Sequence, residues 1–360
     1  MPFDEIGYQP KAATILRRIV ERGHAAHAYL FHGPPGSGKR EAARLFAQAQ
    51  NCEGGAGDPC GQCRACDQIA RSMDPDAPLY PDLVHLAPGR FVASDGKKQA
   101  SDTIVVDAVR QLRQSLYNAP LVARRRVVVV HEADKMQPAA QNAFLKTLEE
   151  PLEKIRTTFL LLSARPQALL PTIRSRCHAV FFAPVPAEAI VRRLLSAGGL
   201  EEASAALWAR LADGNLQAAL TLAADPDASP LIAERADWLT RWEAVIAGPA
   251  AGYAEFEAEG RKRDEMPKLI DLLIGWHRDL LVVQSGGDPR HVVNLDRLDA
   301  LRAAAATLDG PEIVRRIERL VAIRGALDVY IRGDLAMDAL LADILVSAKL
   351  PAGRADSLYR

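Results

Sequence analysis

The chain has 360 residues, 49% apolar and 25% charged, the composition of a folded protein with more than one hydrophobic core. Lys plus Arg and Asp plus Glu balance at 45 each, so the chain as a whole is not a polyanion binder by net charge. No apolar run approaches the ~18 residues that span a bilayer, and MPFDEIGYQPK lacks the basic and apolar regions of a secretory signal; the expectation is a cytoplasmic protein with no membrane partner.

The elements alternate through the first half. Residues 11–23 carry apolar positions at helical spacing and stop at a glycine. AYLFHG (28–33) reads as a strand that feeds GPPGSGKR (33–40), and KREAARLFAQAQ (39–50) as a helix. Four cysteines follow. DLVHLAP (82–88) is the second strand, SDTIVVDAVRQLRQSL (101–116) a helix capped at Ser101 or Asp102, and RRRVVVVHEAD (124–134) the third strand, with a basic entrance. QPAAQNAFLKTLEEP (137–151) is a helix closed by proline; TTFLLLSAR (157–165) and AVFFAPV (179–185) complete five strands. This alternation predicts a mainly parallel sheet with helices on both faces. From about residue 186 the strand-like runs vanish. The predicted divisions are an α/β domain over 1–180, a small helical domain over 181–226, an all-helical domain over 227–348 and a tail over 349–360.

GPPGSGKR fits the phosphate-loop pattern G-x-x-x-x-G-K-[ST] except at its last position. Gly33, Gly36, Ser37 and Gly38 shape a loop whose backbone N–H groups can approach phosphate. Lys39 adds a point charge, and the following helix N-terminus favours an anion. Arg40 replaces the hydroxyl that would hold Mg²⁺ and brings no oxygen. With Val130 as the last strand residue, His131 occupies the place of the second, acidic metal support and Glu132 follows it. A shift of one residue would bring Glu132 to that place instead. Mg²⁺-dependent use of ATP is therefore not expected of this loop.

Cys52-x7-Cys60-x2-Cys63-x2-Cys66 offers four thiolates within 15 residues, the donor set of a closed, structural, tetrahedral Zn²⁺ site. Its surroundings, EGGAGDPCGQCRACD, carry no basic aromatic surface for nucleic acid. Cys177 is distant in sequence and is not expected to be a ligand.

HAYLFHGPPGSGK (27–39), the four cysteines, AAQNAFLKTLEEP (139–151) and TTFLLLSARPQALLPTIRSRC (157–177) together resemble the bacterial DNA polymerase III clamp-loader proteins of the AAA+ class. The likeness covers 5–220. It implies an AAA+ P-loop domain with a zinc module over 52–66, a helical lid and an all-helical collar. Motor subunits of that family hydrolyse ATP and carry Thr or Ser at position 40, Asp-Glu at 131–132 and an arginine where Gln217 stands. The three departures resemble the family's delta-prime subunit. The resemblance then gives Arg176, in Ser175-Arg176-Cys177, the role of an arginine finger donated in trans to ATP on a neighbour, and Ser163 a sensor-like position. It implies partners: motor (tau/gamma-type) and delta subunits in a hetero-pentameric ring, the sliding clamp indirectly, and primed DNA through the assembly, in a nucleoid-associated replisome. No polymerase active site is implied in this chain.

Two other readings stand beside this one: an active motor ATPase, and a zinc-dependent nucleic-acid-binding module. Glu149-Glu150 reads either as a helix end without chemistry or as part of a site. Arg124-Arg125-Arg126 reads as a solvated strand entrance in preference to a DNA contact. LIDLLIGWHRDLLVV (269–283) reads equally as ring contact or as core.

Overall fold

The apolar runs of the first half are two-sided, and the structure uses both sides. In this computed structural model the described residues are 2–23, 25–55, 57–74, 79–89, 102–117, 119–149, 156–224, 230–247 and 266–327. The strands are β1 (Ala28–His32), β2 (Leu83–Leu86), β3 (Arg126–Val130), β4 (Thr157–Ser163) and β5 (His178–Phe181). They form one sheet in the order β2-β3-β4-β1-β5, with every pairing parallel. A parallel strand covered on both faces needs apolar residues at successive positions, as in the Val127–Val130 run. Val127 and Val129 join Phe31, Leu160 and Phe182 on one face, while Val128 and Val130 join Leu30, Phe159 and Leu161 on the other.

The first face packs against α1 (Pro10–Glu21), α2 (Lys39–Asn51) and α3 (Arg64–Arg71). The second packs against α4 (Val106–Ser115), α5 (Pro138–Glu149) and α6 (Pro171–Arg174). α4 begins at Val106, four residues after the expected cap at Asp102, because Ile104 is held beside Met136 in a backbone bridge. Ser101 lies outside the described residues. α7 (Ala187–Ala197), α8 (Glu202–Leu211) and α9 (Leu216–Ala224) continue the chain.

The basic entrance to β3 turns inward. Arg126 is buried against Asp82, whose carboxylate also accepts the N–H groups of Leu121, Val122 and Ala123. Arg125 is half-buried and donates to Thr158 Oγ1 at 3.3 Å. Only Arg124 of the three is exposed.

The chain divides into two compact units, Met1–Leu220 and Thr221–Arg360. The first holds the sheet together with α7 and α8. In the second, α10 (Pro230–Ala247), α11 (Met266–Gln284), α12 (Leu298–Ala305) and α13 (Gly310–Leu327) enclose their own core. Leu269, Ile270, Leu273, Trp276 and Leu280 of α11 are buried in that core. The expected tail over 349–360 lies outside the described residues. No described helix is long and apolar enough to cross a membrane.

Candidate functional site

Three strands deliver their C-terminal ends to one place. β1 ends at the glycine loop, β3 ends at Val130 so that His131 is the next residue, and β4 ends at Ser163. His131 is thus the first residue beyond β3. Glu132 sits just beyond with left-handed φ of 44°, exposed and paired with Lys135.

The loop is closed upon itself. Lys39 Nζ donates to the Gly33 carbonyl at 2.7 Å, the Pro34 carbonyl at 2.5 Å and Ser37 Oγ at 3.2 Å. The Ser37 carbonyl accepts from Gln9 Nε2 at 3.0 Å, and the Gly36 carbonyl from Leu216 N–H at 3.1 Å. The loop's outward carbonyls are thus met by donors of the same chain. Two glycines permit this approach. A Cβ on Gly33 would lie 2.0 Å from the Phe182 carbonyl oxygen, and one on Gly36 would lie 1.6 Å from Asn215 Oδ1. Burial pushes the Lys39 ammonium down to about 8, against the pull of Asp134 and Glu41.

Arg40 and His131 both connect to the segment that follows α3, Arg40 directly and His131 through His85. The Arg40 guanidinium donates to the Met73 carbonyl. His131 Nε2 lies 2.9 Å from His85 Nδ1, and His85 Nε2 lies 2.8 Å from the Ser72 carbonyl. A carbonyl only accepts, so His85 Nε2 carries the proton and His131 Nε2 donates to His85 Nδ1. Ser72 and Met73 are the first two residues after α3, the helix that carries Cys66.

Cys52, Cys60, Cys63 and Cys66 come together with all four sulfurs within 4.8 Å of one another. Tetrahedral ligation at metal–sulfur distances of about 2.3 Å fits that span. Backbone N–H groups of Cys60, Cys63 and Cys66 point at the sulfurs of Cys52, Cys60 and Cys63 at 3.3, 3.3 and 3.5 Å. Such donors favour thiolate, and those of Gln62 and Cys63 bring the Cys60 thiol down to about 6, whereas burial pushes Cys66 up. The set can hold a metal ion and leaves no thiol aside for chemistry. Cys177 is buried in the other core layer.

Asp134, Gln9, His85 and Asn215 were not legible as site residues. Asp134 accepts Ser163 Oγ at 2.9 Å and Ala164 N–H at 3.1 Å and pairs with Arg165. Its position in HEAD, four residues past the strand, was the available signal. Gln217 is exposed on the first turn of α9.

Arg176 is apart from all of this. It precedes β5, whose first residue pairs with Tyr29 near the start of β1. The loop lies at the far end of β1, about 13 Å away along a strand rising about 3.3 Å per residue. Arg176 donates to the Thr172 carbonyl at 3.1 Å and pairs with Glu149 at 2.7 Å, with 38% of its side chain exposed.

The family model described as "DNA polymerase III, delta subunit" matches residues 8–186. DNA polymerase III subunit gamma/tau of Mycobacterium bovis is 32% identical over 97% of this chain and 61% of its own length. DNA polymerase III subunit delta' of Bacillus subtilis is 28% identical over 78% of this chain and 80% of its own. The delta' subunit of Pseudomonas aeruginosa is 37% identical over 47% of this chain and 46% of its own. The chain thus spans about three fifths of the gamma/tau relatives it matches. With the parallel sheet, the glycine loop and the four-thiol module, these matches make the chain a member of the DNA polymerase III clamp-loader family of AAA+ proteins.

Proposed function

We propose that this chain is a delta-prime-type clamp-loader subunit, a stator that does not hydrolyse ATP. In this reading it donates Arg176 to ATP held by a neighbouring motor subunit as the sliding clamp is loaded onto primed DNA. One observation carries it: the cations are divided between the two ends of the sheet. Lys39, half-buried, is engaged with three oxygens of its own loop, and Arg40 turns away to the Met73 carbonyl, while Arg176 stands at the opposite end beside a surface carboxylate, out of reach of this chain's loop.

The chemistry follows from that division. In the neighbour, water attacks the γ-phosphorus of ATP, the bond to the β–γ bridging oxygen breaks, and negative charge spreads over the phosphoryl oxygens. A guanidinium is charged at any working pH and donates two parallel hydrogen bonds, so it stabilises that charge where it develops. In this chain, Arg40 and His131 supply no carboxylate or hydroxyl oxygen for Mg²⁺. Ser163, held by Asp134, keeps a structural part. The four thiols would hold Zn²⁺ as a structural ion that fixes α3 to α2. Residues 181–226 act as lid and 227–348 as collar. The partners are motor (tau/gamma-type) and delta subunits in a hetero-pentameric ring. The sliding clamp is engaged indirectly and primed DNA through the assembly, in the cytoplasm.

The test is reconstitution of the loader with motor and clamp-opening subunits, clamp and primed DNA. Arg176→Ala is expected to abolish turnover at one motor site with assembly intact; unchanged turnover removes the arginine-donor role.

The 32% identity to gamma/tau relatives over nearly the whole chain favours a second reading, a motor ATPase. Substantial Mg²⁺-dependent hydrolysis by the purified chain would establish it in place of the first.

A further inference from the structure

Glu149 is the last residue of α5, where the helix dipole presents its negative end. A carboxylate is unfavourable there unless a cation meets it. The cation that meets it is Arg176, at 2.7 Å. The two elements that carry the pair are fixed to each other. Gln141, buried on α5, donates to the Ala168 carbonyl at 3.1 Å and accepts the Leu170 N–H at 2.7 Å. Phe144 and Leu148 of α5 share a core layer with Ile173 and Cys177. With both backbones held, two contacts set the direction of the guanidinium: the Thr172 carbonyl on one terminal nitrogen and Glu149 on the other.

The pair is also exchangeable. The side chains of Arg176 and Glu149 are 38% and 51% exposed. Ion pairs in such positions are weak, since water competes for both partners. A triphosphate carries more negative charge than one carboxylate and offers several oxygens in the geometry an arginine fork prefers.

We propose that Glu149 is the positioning residue for Arg176. It holds the guanidinium extended at the surface in the free subunit, then yields it to the triphosphate of a neighbouring chain. This rests on the arginine-donor reading above. The role belongs to orientation, so its loss should appear in kcat, where only one of many arginine rotamers is productive. It should leave the KM for ATP, set by the neighbour's own loop, nearly unchanged.

The experiment compares wild type, Glu149→Gln, Glu149→Asp, Arg176→Ala and the Glu149→Gln/Arg176→Ala double variant in the reconstituted loader with clamp and primed DNA. ATP turnover at the adjoining motor site, KM and ring assembly are measured, with a thermal melt of each variant. Glu149→Gln is expected to lower kcat roughly three- to tenfold at constant KM, Glu149→Asp to recover part of the loss, and the double variant to match Arg176→Ala alone. Glu149→Gln with unchanged or raised kcat, while Arg176→Ala is impaired, overturns the positioning role and leaves the arginine-donor reading standing. So does a double variant whose losses multiply. If Arg176→Ala itself turns over normally, the arginine-donor reading fails and the positioning role falls with it.

Discussion

The two ends of the sheet handle positive charge in opposite ways. At the C-terminal end, Lys39 is wrapped by the Gly33 and Pro34 carbonyls and Arg40 reaches Met73. At the N-terminal end, Arg176 is half-exposed and has for its charged partner a carboxylate that water also reaches. Lys39 is half-buried with three oxygens of its own loop as partners, which ties it to its own chain; Arg176, whose charged partner is a surface carboxylate, remains available to another.

The largest effect that can break this contrast is on turnover. Arg176→Ala should lower hydrolysis at the adjoining motor site by roughly 10³-fold, as loss of an arginine finger does, whereas Arg40→Ala should change it less than about twofold. Equal losses in the two variants would erase the distinction between the ends.

A second test acts on stability. Gly33→Ala forces a Cβ to within 2.0 Å of a backbone oxygen at φ +146°, and should cost more than about 2 kcal/mol, read as a lower urea midpoint for the sheet-bearing unit. A midpoint equal to wild type would mean the loop is not held closed.

Metal removal should act more locally. Gln48 Nε2 donates to the Cys66 carbonyl at 2.7 Å, and Arg40 to Met73, so α2 is joined both to α3 and to the segment that follows it. Chelation should speed amide exchange in both helices roughly tenfold while sparing α5. Uniform protection before and after chelation would detach the thiol module from the loop.

The smallest effect is on pH. The Lys39 amine, brought down to about 8 by burial, loses its proton while lysine in the unfolded chain keeps its own up to about 10.4. The unfolded state then binds more protons, so stability should rise between these values. Lys39 remains partly solvated, which limits the gain to under about 1 kcal/mol. Thermal melts of wild type and Lys39→Met across that range measure it.

The sheet was legible because Val127–Val130 and Phe159–Leu162 are short runs, apolar at successive positions, as a strand covered on both faces needs. The thiol centre was legible because its spacing is local: each cysteine is within a turn or loop of the next. α3 was missed, since RACDQIAR is short and lies inside the cysteine run. The site residues that escaped were those recruited over distance. Gln9 bonds Ala183 across 174 positions, and His85 bonds His131 across 46. No periodicity encodes such a pairing. Glu149 lay between: its place at a helix end was readable, and its partner was not.

The strand order has a consequence for synthesis. Among the described strands β1 is hydrogen-bonded to β4 and β5, and Ala28 and its β4 partner Phe159 are 131 positions apart (159 − 28). At ribosomal rates of roughly 5–20 residues per second, β1 waits about 7–26 s for its first neighbour, while β2 and β3 can pair beforehand. Throughout that interval AYLFH is an apolar edge on a nascent chain, the kind of segment that chaperones bind and that aggregates without them. A chain stopped after Glu149 should therefore be insoluble despite containing the whole glycine loop and all four thiols of the cluster.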